Sequence, residues 1–360
     1  MNIPFSKPFV KKIHDDTAIL PSQVSGKMKI YGYETETLMT VSATGALEMM
    51  GLLLDLKAGD EVILPSFTYA ATANAFARTG AKLIFGDIDP DTMNLDPVSV
   101  EGAVTDRTKA IIPIHYGGVS ADMDKLTKIG HANNIPILED AAHCIGAKNG
   151  NRLLGTIGDM GCLSFHPTKN ISCGQGGALF INREFWEEPA KECLHQGTDR
   201  MAFYRGDVSE YTWQRLGGAY TMNPYSLKAL YETLDFIEAV TLERQKVWQN
   251  YYDGLKTLED QGVLKLAKIP KYATFNAHIF YVLTPYRQAL LNYLSEAGIQ
   301  AYTHYEPLHL TKIGQKLSEN RGRLSQTEKA ASELLRLPIY SGMTEMEQAY
   351  VIEKIKHFFK

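Results

Sequence analysis

Cysteine is scarce, with four in 360 residues, and none falls in a C-x-x-C pair. That spacing gives no sign of a zinc site or a disulfide framework, and reduced thiols are the plainer expectation. Long apolar runs are also missing. The longest, Met49 to Leu54, falls far short of a bilayer span. Charge is nearly balanced, with a net of −4, which leaves no electrostatic footprint for nucleic acid or an anionic membrane. The opening Met1-Asn2-Ile3-Pro4-Phe5-Ser6-Lys7 lacks the basic-then-apolar layout of a signal peptide, so a cytoplasmic location is expected. The glycine clusters Gly155-x-x-Gly158 and Gly174-x-Gly176-Gly177 match neither Walker A nor a dinucleotide fingerprint, and read as turns. Internal repeats and low-complexity segments are absent.

What remains is a chain long enough for a large core and two domains. From about residue 61, short β-branched or apolar runs alternate with helical patterns. Glu61 to Pro65, Lys82 to Phe85, Ala110 to Ile114 and Ile135 to Leu138 read as strands, with a helix over Met123 to Asn133. This rhythm predicts an α/β fold with a mostly parallel central sheet covered by helices. A long helical pattern over about 225–258 bridges to a smaller C-terminal α+β domain, with strands at 279–283 and 300–302 and helices at 288–298 and 344–359. The boundaries are 1–240 for the large domain, its first 40 residues irregular, and 241–360 for the small one.

In such sheets, functional groups gather at the carboxyl ends of strands. Lys169 lies between the strand-like run Met160 to Phe165 and a Gly-rich turn leading into Ala178 to Ile181. Asp140, in Glu139-Asp140-Ala141-Ala142-His143, ends another run. A lysine at a strand end beside a buried carboxylate suits a pyridoxal phosphate enzyme. The amine forms the Schiff base, and the carboxylate pairs with the pyridinium nitrogen to keep the ring an electron sink. Thr44 and Gly45 open a helix whose free N–H groups and dipole favour phosphate, and the Ser164 hydroxyl is a second phosphate ligand. Tyr69 offers a flat wall for the ring, His143 a neighbour for its phenolic oxygen, and His166 a contact to cofactor or substrate. Taken singly, each has a plainer reading: Ser42 or Thr44 as an N-cap, Asp140 as a helix cap, Tyr69 as core, and the histidines as structural. The conjunction and its order carry the signal.

That order resembles the DegT/StrS-type sugar aminotransferases, a branch of the fold-type I pyridoxal phosphate enzymes, over nearly the whole chain. The resemblance rests on Gly59 to Tyr69, Asp87-Ile88-Asp89-Pro90, Pro113 to Gly118, Glu139 to His143, Gly155 to Asp159, Ser164 to Gly177 and Leu335 to Thr344. A narrower likeness, to the branch that makes dTDP-4-amino-4,6-dideoxygalactose, rests on His195 to Arg200, Phe203 to Gly206, Tyr211-Thr212-Trp213 and Trp248 to Tyr252. It implies pyridoxal 5'-phosphate on Lys169, Asp140 at the ring nitrogen, L-glutamate as donor and a dTDP-linked 4-keto-6-deoxyhexose as acceptor. It further implies that His304, Tyr305 and His309 face the sugar nucleotide, and that a homodimer holds the site at its interface.

The sequence also departs from this pattern. Ala219 stands where the family often has an asparagine that reaches the partner's phosphate. The loop after Lys169 is short. Ser25-Gly26-Lys27 is followed so soon by Val41 to Thr44 that the helix the family keeps between them finds no room. Rival expectations are amination at carbon 3 with the same catalytic set, and a cofactor-binding homologue without turnover. A related dehydratase is disfavoured, because those replace the lysine with histidine.

Overall fold

The computed structural model describes residues 19–360. Two four-stranded sheets meet edge to edge. One runs Glu36–Thr40, Gly177–Ile181, Met160–Ser164, Leu138–Asp140, and the other Thr108–Ile111, Glu61–Pro65, Lys82–Gly86, Ser318–Asn320. Parallel bridges Ile111↔Ile137 and Ile114↔Asp140 stitch them into one surface. All pairings in it are parallel except those of Gly177–Ile181, which runs antiparallel to both neighbours.

Side-chain alternation explains why helices cover both faces. Val62, Leu64, Leu83, Phe85, Ala110 and Ile112 point into a core shared with the helices Ala43–Leu53 and Ala70–Ala77. Their immediate neighbours Ile63, Ile84, Ile111 and Ile137 point the other way, onto Pro97–Ala103 and Met123–Asn133. Strands this uniformly apolar cannot face water on either side.

The long helical pattern is split by a single 3-10 turn at Leu234–Phe236, giving Pro224–Thr233 and Ile237–Asp260. The second helix belongs to two cores. Ile237 and Val240 pack beneath the large sheet, while Val247, Trp248, Tyr251, Leu255 and Leu258 enter the C-terminal core. At the changeover the buried Arg244 donates to the carbonyls of Ala277 and His278. The C-terminal core covers an antiparallel sheet of Lys265–Leu266, Phe280–Leu283 and Leu334–Leu337, with Arg287–Glu296 and Glu345–Phe358 as helices. The strand expected at Gln300 to Tyr302 reduces to one bridge, Tyr302↔Arg336.

Two sequence expectations need correction. Residues 1–18 lie outside the described part, but the rest of the N-terminal segment is not irregular: Pro21–Ile30 is a helix and Glu36–Thr40 a strand. Ser25-Gly26-Lys27 lies inside that helix, and between Ile30 and Ala43 there is only the strand Glu36–Thr40, with no further helix. Val24 and Met28 bury one side, and Lys27 Nζ donates to the Tyr231 carbonyl and pairs with Asp235 at 2.7 Å. The second is the assignment of all of 241–360 to the small domain, which Ser318–Asn320 breaks. This segment, distant in sequence, adds an edge strand parallel to Lys82–Gly86. Polar links fasten its surroundings: Arg321 to Glu61, and Asp87 accepting from the amides of Gln326 and Thr327.

Candidate active site

Along the strand Leu138–Asp140, consecutive side chains point to opposite faces. Glu139 turns inward and is fully buried, accepting from the His115 imidazole (2.8 Å) and from the amides of Gly155 (2.9 Å), Ile157 (2.6 Å) and Gly158 (2.6 Å). His115 Nδ1 accepts from the Ala121 amide, which puts its proton on the Nε2 that faces Glu139. Asp140 turns the other way. Its Oδ2 accepts from the Thr72 hydroxyl at 2.7 Å, and its Oδ1 accepts from the Ala142 amide at 3.1 Å and a weak Cys162 thiol contact at 3.9 Å. No helix follows Asp140, so it caps a turn rather than a helix.

Lys169 sits in the loop between Met160–Ser164 and Gly177–Ile181, closed by Phe165 N–H to the Gly176 carbonyl and Cys173 N–H to the Phe165 carbonyl. Its neighbour Asn170 is buried, donating to the Asn276 carbonyl and paired with His278 Nδ1 at 3.0 Å. Burial brings the Lys169 amine down to about 8; Asp140 opposes that shift and Arg336 adds to it. A lysine that feels both charges lies among them.

Beside it is a helix start. Ser42 is the N-cap of Ala43–Leu53, its hydroxyl accepting from the Gly45 amide at 3.0 Å. The plainer reading of Ser42 therefore holds. Among the described residues the amides of Ala43 and Thr44 and the Thr44 hydroxyl carry no hydrogen bond, and remain for an anion. Gly177 packs directly on this turn, where any Cβ would strike Ala43 N and the Ser42 carbonyl carbon. Ser164 pairs with Gly177 in register, which brings its hydroxyl to the same corner as Thr44.

Aromatic and imidazole rings line the remaining side. His143 Nδ1 accepts from the Gly117 amide at 3.3 Å, and its Nε2 lies 3.5 Å from the Tyr305 hydroxyl. Burial, then Lys169 and Arg336, hold His143 well below the usual imidazole range, so it is neutral. His304 stacks on Tyr305 at 3.7 Å between centroids, and its Nδ1 is hydrogen-bonded to the Tyr116 hydroxyl at 2.6 Å. Tyr69 is 65% exposed, so it is not core, and is close enough to raise the Tyr305 phenol. His166 is exposed at the rim, with burial of its ring and Lys169 lowering it. His309 stands apart: it is buried and receives the Ser66 hydroxyl at 2.7 Å on Nδ1, while its own amide donates back to Ser66.

Three participants went unread in the sequence. Thr72 lies one helical turn beyond Tyr69, and nothing in Ala70-Ala71-Thr72 marks it. Tyr116 stood in a quoted motif without a role. Arg336 did carry a signal, a cation inside the apolar strand Leu334–Leu337. Its charge reaches Lys169, His143, His278 and His304.

With this geometry in hand, comparison with known proteins is informative. The model of the DegT/DnrJ/EryC1/StrS aminotransferase family matches residues 25–356. A pleiotropic regulatory protein of Geobacillus stearothermophilus is 37% identical over 307 residues, covering 84% of this chain and 79% of its own. A UDP-2-acetamido-2-deoxy-3-oxo-D-glucuronate aminotransferase of Pseudomonas aeruginosa is 33% identical over 301 residues, covering 83% and 79%. The crystal structure of a DegT DnrJ EryC1 StrS aminotransferase from Brucella abortus superposes with a TM-score of 0.86 at 29% identity, covering 95% of this chain and 91% of that one.

Proposed function

The chain belongs to the DegT/DnrJ/EryC1/StrS family of pyridoxal 5'-phosphate-dependent sugar aminotransferases, and from that premise we propose a specific reaction. It moves the amino group of L-glutamate to carbon 4 of a nucleotide-linked 4-keto-6-deoxyhexose, with dTDP-4-keto-6-deoxyglucose as first candidate and dTDP-4-amino-4,6-dideoxygalactose as product. The observation that carries the reading is a half-buried lysine amine brought to about 8 and facing a buried carboxylate. Such an amine is a nucleophile and a base close to neutral pH.

The chemistry of the donor set suits the cofactor: a lysine amine near 8, a carboxylate with acceptor capacity left, and a helix start with free amides. Lys169 would hold it covalently. Asp140 would face the ring nitrogen, Thr44 and Ser164 would take the phosphate with the helix start at Gly45, Tyr69 would cover the ring, and His143 would neighbour its phenolic oxygen. When bound, the cofactor supplies an electron sink and carries the amino group between the two substrates. This chain's residues do the rest. The Lys169 amine, once released, takes a proton from the donor's α-carbon and later returns one to the sugar carbon. Asp140 would stand against the ring nitrogen throughout. Neutral His143 directs its Nε2 proton toward Tyr305. The half-reactions alternate, 2-oxoglutarate leaving before the keto sugar enters.

His304 and Tyr305, stacked near Lys169, would meet the sugar nucleotide, with His166 at the rim. His309, held by Ser66, is the weakest of these assignments. We place the lobes at 1–240 and 241–360, with Ser318–Asn320 crossing back to the large sheet, and expect a homodimer. The exposed Tyr204, Trp213, Leu216 and Tyr225, close in sequence, support that expectation, since large apolar side chains left outside a core favour interfaces. No helix among the described residues is long and apolar enough to cross a membrane.

A second reading, amination at carbon 3, is favoured by the 3-oxo sugar in the name of the Pseudomonas relative. The same catalytic set serves both. The test is direct. The purified chain should acquire a visible absorption band with pyridoxal 5'-phosphate, and borohydride should fix the cofactor to Lys169. Glutamate should convert the band, and product NMR from a panel of nucleotide-linked keto sugars should identify the carbon. No band and no fixation would sink the enzyme reading. Binding without glutamate-dependent conversion would leave a homologue without turnover.

A further inference from the structure

Asp140 does not stand alone at the end of its strand. Thr72, in the helix Ala70–Ala77, gives its hydroxyl proton to Asp140 Oδ2 at 2.7 Å, and Thr68 Oγ1 lies 3.3 Å from Thr72 Oγ1. Since the Thr72 proton is committed to the carboxylate, the proton between the two threonines must come from Thr68. The result is a directed chain, Thr68 to Thr72 to Asp140, and all three residues are buried. Donors aligned in this way polarise one another and strengthen the last bond. A carboxylate accepts about four hydrogen bonds. Thr72, the Ala142 amide and the weak Cys162 contact occupy three of them, leaving capacity for one more donor.

We propose that Thr72, backed by Thr68, is a positioning residue that determines where the proton shared by Asp140 and the cofactor's ring nitrogen rests. The inference builds on the assignment of Asp140 to that nitrogen. A proton between a carboxylate and a pyridine nitrogen sits on whichever partner holds it more tightly. A hydroxyl that donates to the carboxylate stabilises its anionic form and lowers its hold on the proton. Thr72 thereby keeps the proton on the ring, the form in which the ring withdraws electrons. Without Thr72 the carboxylate becomes the better base and the proton moves toward Asp140. One bond, N–H, is exchanged for another, O–H, and no other species takes part.

The experiment uses the full chain loaded with pyridoxal 5'-phosphate labelled with nitrogen-15 in the ring, comparing wild type, Thr72→Val, Thr72→Ser and Thr68→Val. In wild type the ring resonance should report a protonated nitrogen. Thr72→Val keeps the shape and removes the donor, so the resonance should move toward the unprotonated position, the sharing ratio shifting about tenfold. Turnover should fall in step while KM for glutamate changes less than twofold. Thr72→Ser restores the donor and should restore both signals. A merely structural role would lower the melting temperature or cofactor affinity and leave the resonance in place. A folded, loaded Thr72→Val with wild-type resonance and turnover overturns the proposal. If Thr72→Val does not fold, Thr68→Val decides: a smaller shift in the same direction supports the chain of donors, and an unchanged resonance overturns it. A wild-type protein that never loads the cofactor on Lys169 overturns the function reading instead, so the two failures are distinguishable.

Discussion

On one side of the strand Leu138–Asp140, the Glu139 carboxylate takes four donors, three of them amides of the turn at Gly155 to Gly158 and the fourth the buried His115. On the other side, Asp140 takes three, one of them only a distant thiol. The two acids are adjacent in sequence and both buried. What separates them is saturation. A carboxylate whose acceptors are all filled by its own chain is a structural tie, and one with acceptor capacity left faces something that arrives later.

That contrast can be broken experimentally, and the largest effect should come from Asp140. Asp140→Asn retains shape but removes the charge, so turnover should fall on the order of a thousandfold. Its melting temperature should stay within a few degrees of wild type. Paired kinetics and thermal melts check this, and a variant with a strongly lowered melting temperature but normal turnover per folded molecule would reverse the two roles. Glu139→Gln should do the opposite. An amide NH₂ placed among backbone N–H groups leaves buried donors facing each other, costing about 3 kcal/mol or more of stability in urea titrations. Activity per folded molecule should survive.

A subtler difference appears in pH. On the proposed role, the Lys169 amine, held near 8, would attack the cofactor only when deprotonated. Capture of pyridoxal 5'-phosphate should therefore be slow below pH 8, rise through a midpoint of about 8 and level off above it. Asp140 raises this amine against the effect of burial, so Asp140→Asn should move the midpoint downward, whereas Glu139→Gln should leave it in place. Stopped-flow absorbance across pH reads both. The smallest effect is expected at Ser66→Ala, which removes the hydroxyl that fixes His309 and costs about 1 kcal/mol. KM for the sugar nucleotide should hardly move; a large rise would bring His309 back among the substrate contacts.

Much of this site is legible in the sequence because its parts sit at strand ends, and strand ends are marked by local composition. Lys169, Asp140 and Ser164 each follow an apolar run, and Ser42-Ala43-Thr44-Gly45 announces a capped helix. What escapes is whatever depends on partners far along the chain. Thr72 is unremarkable until the fold sets it beside Asp140. The helix Pro21–Ile30 hides because only Val24 and Met28 are buried, with Gly26 between them, so no apolar stripe betrays it. Its support is tertiary, through Lys27 to Tyr231 and Asp235. The edge strand Ser318–Asn320 is wholly polar and gains its form only from pairing with Lys82–Gly86.

That edge strand has a consequence for biosynthesis. Arg321 and Glu61, joined beside it, are 260 residues apart in sequence. Until the ribosome has released this late segment, the flank of Lys82–Gly86 stays open, an invitation to other nascent chains. Closing so long a loop is also slow. Lys169 is synthesised long before the sheet beneath it can be finished, and chaperone demand should be greatest in that interval.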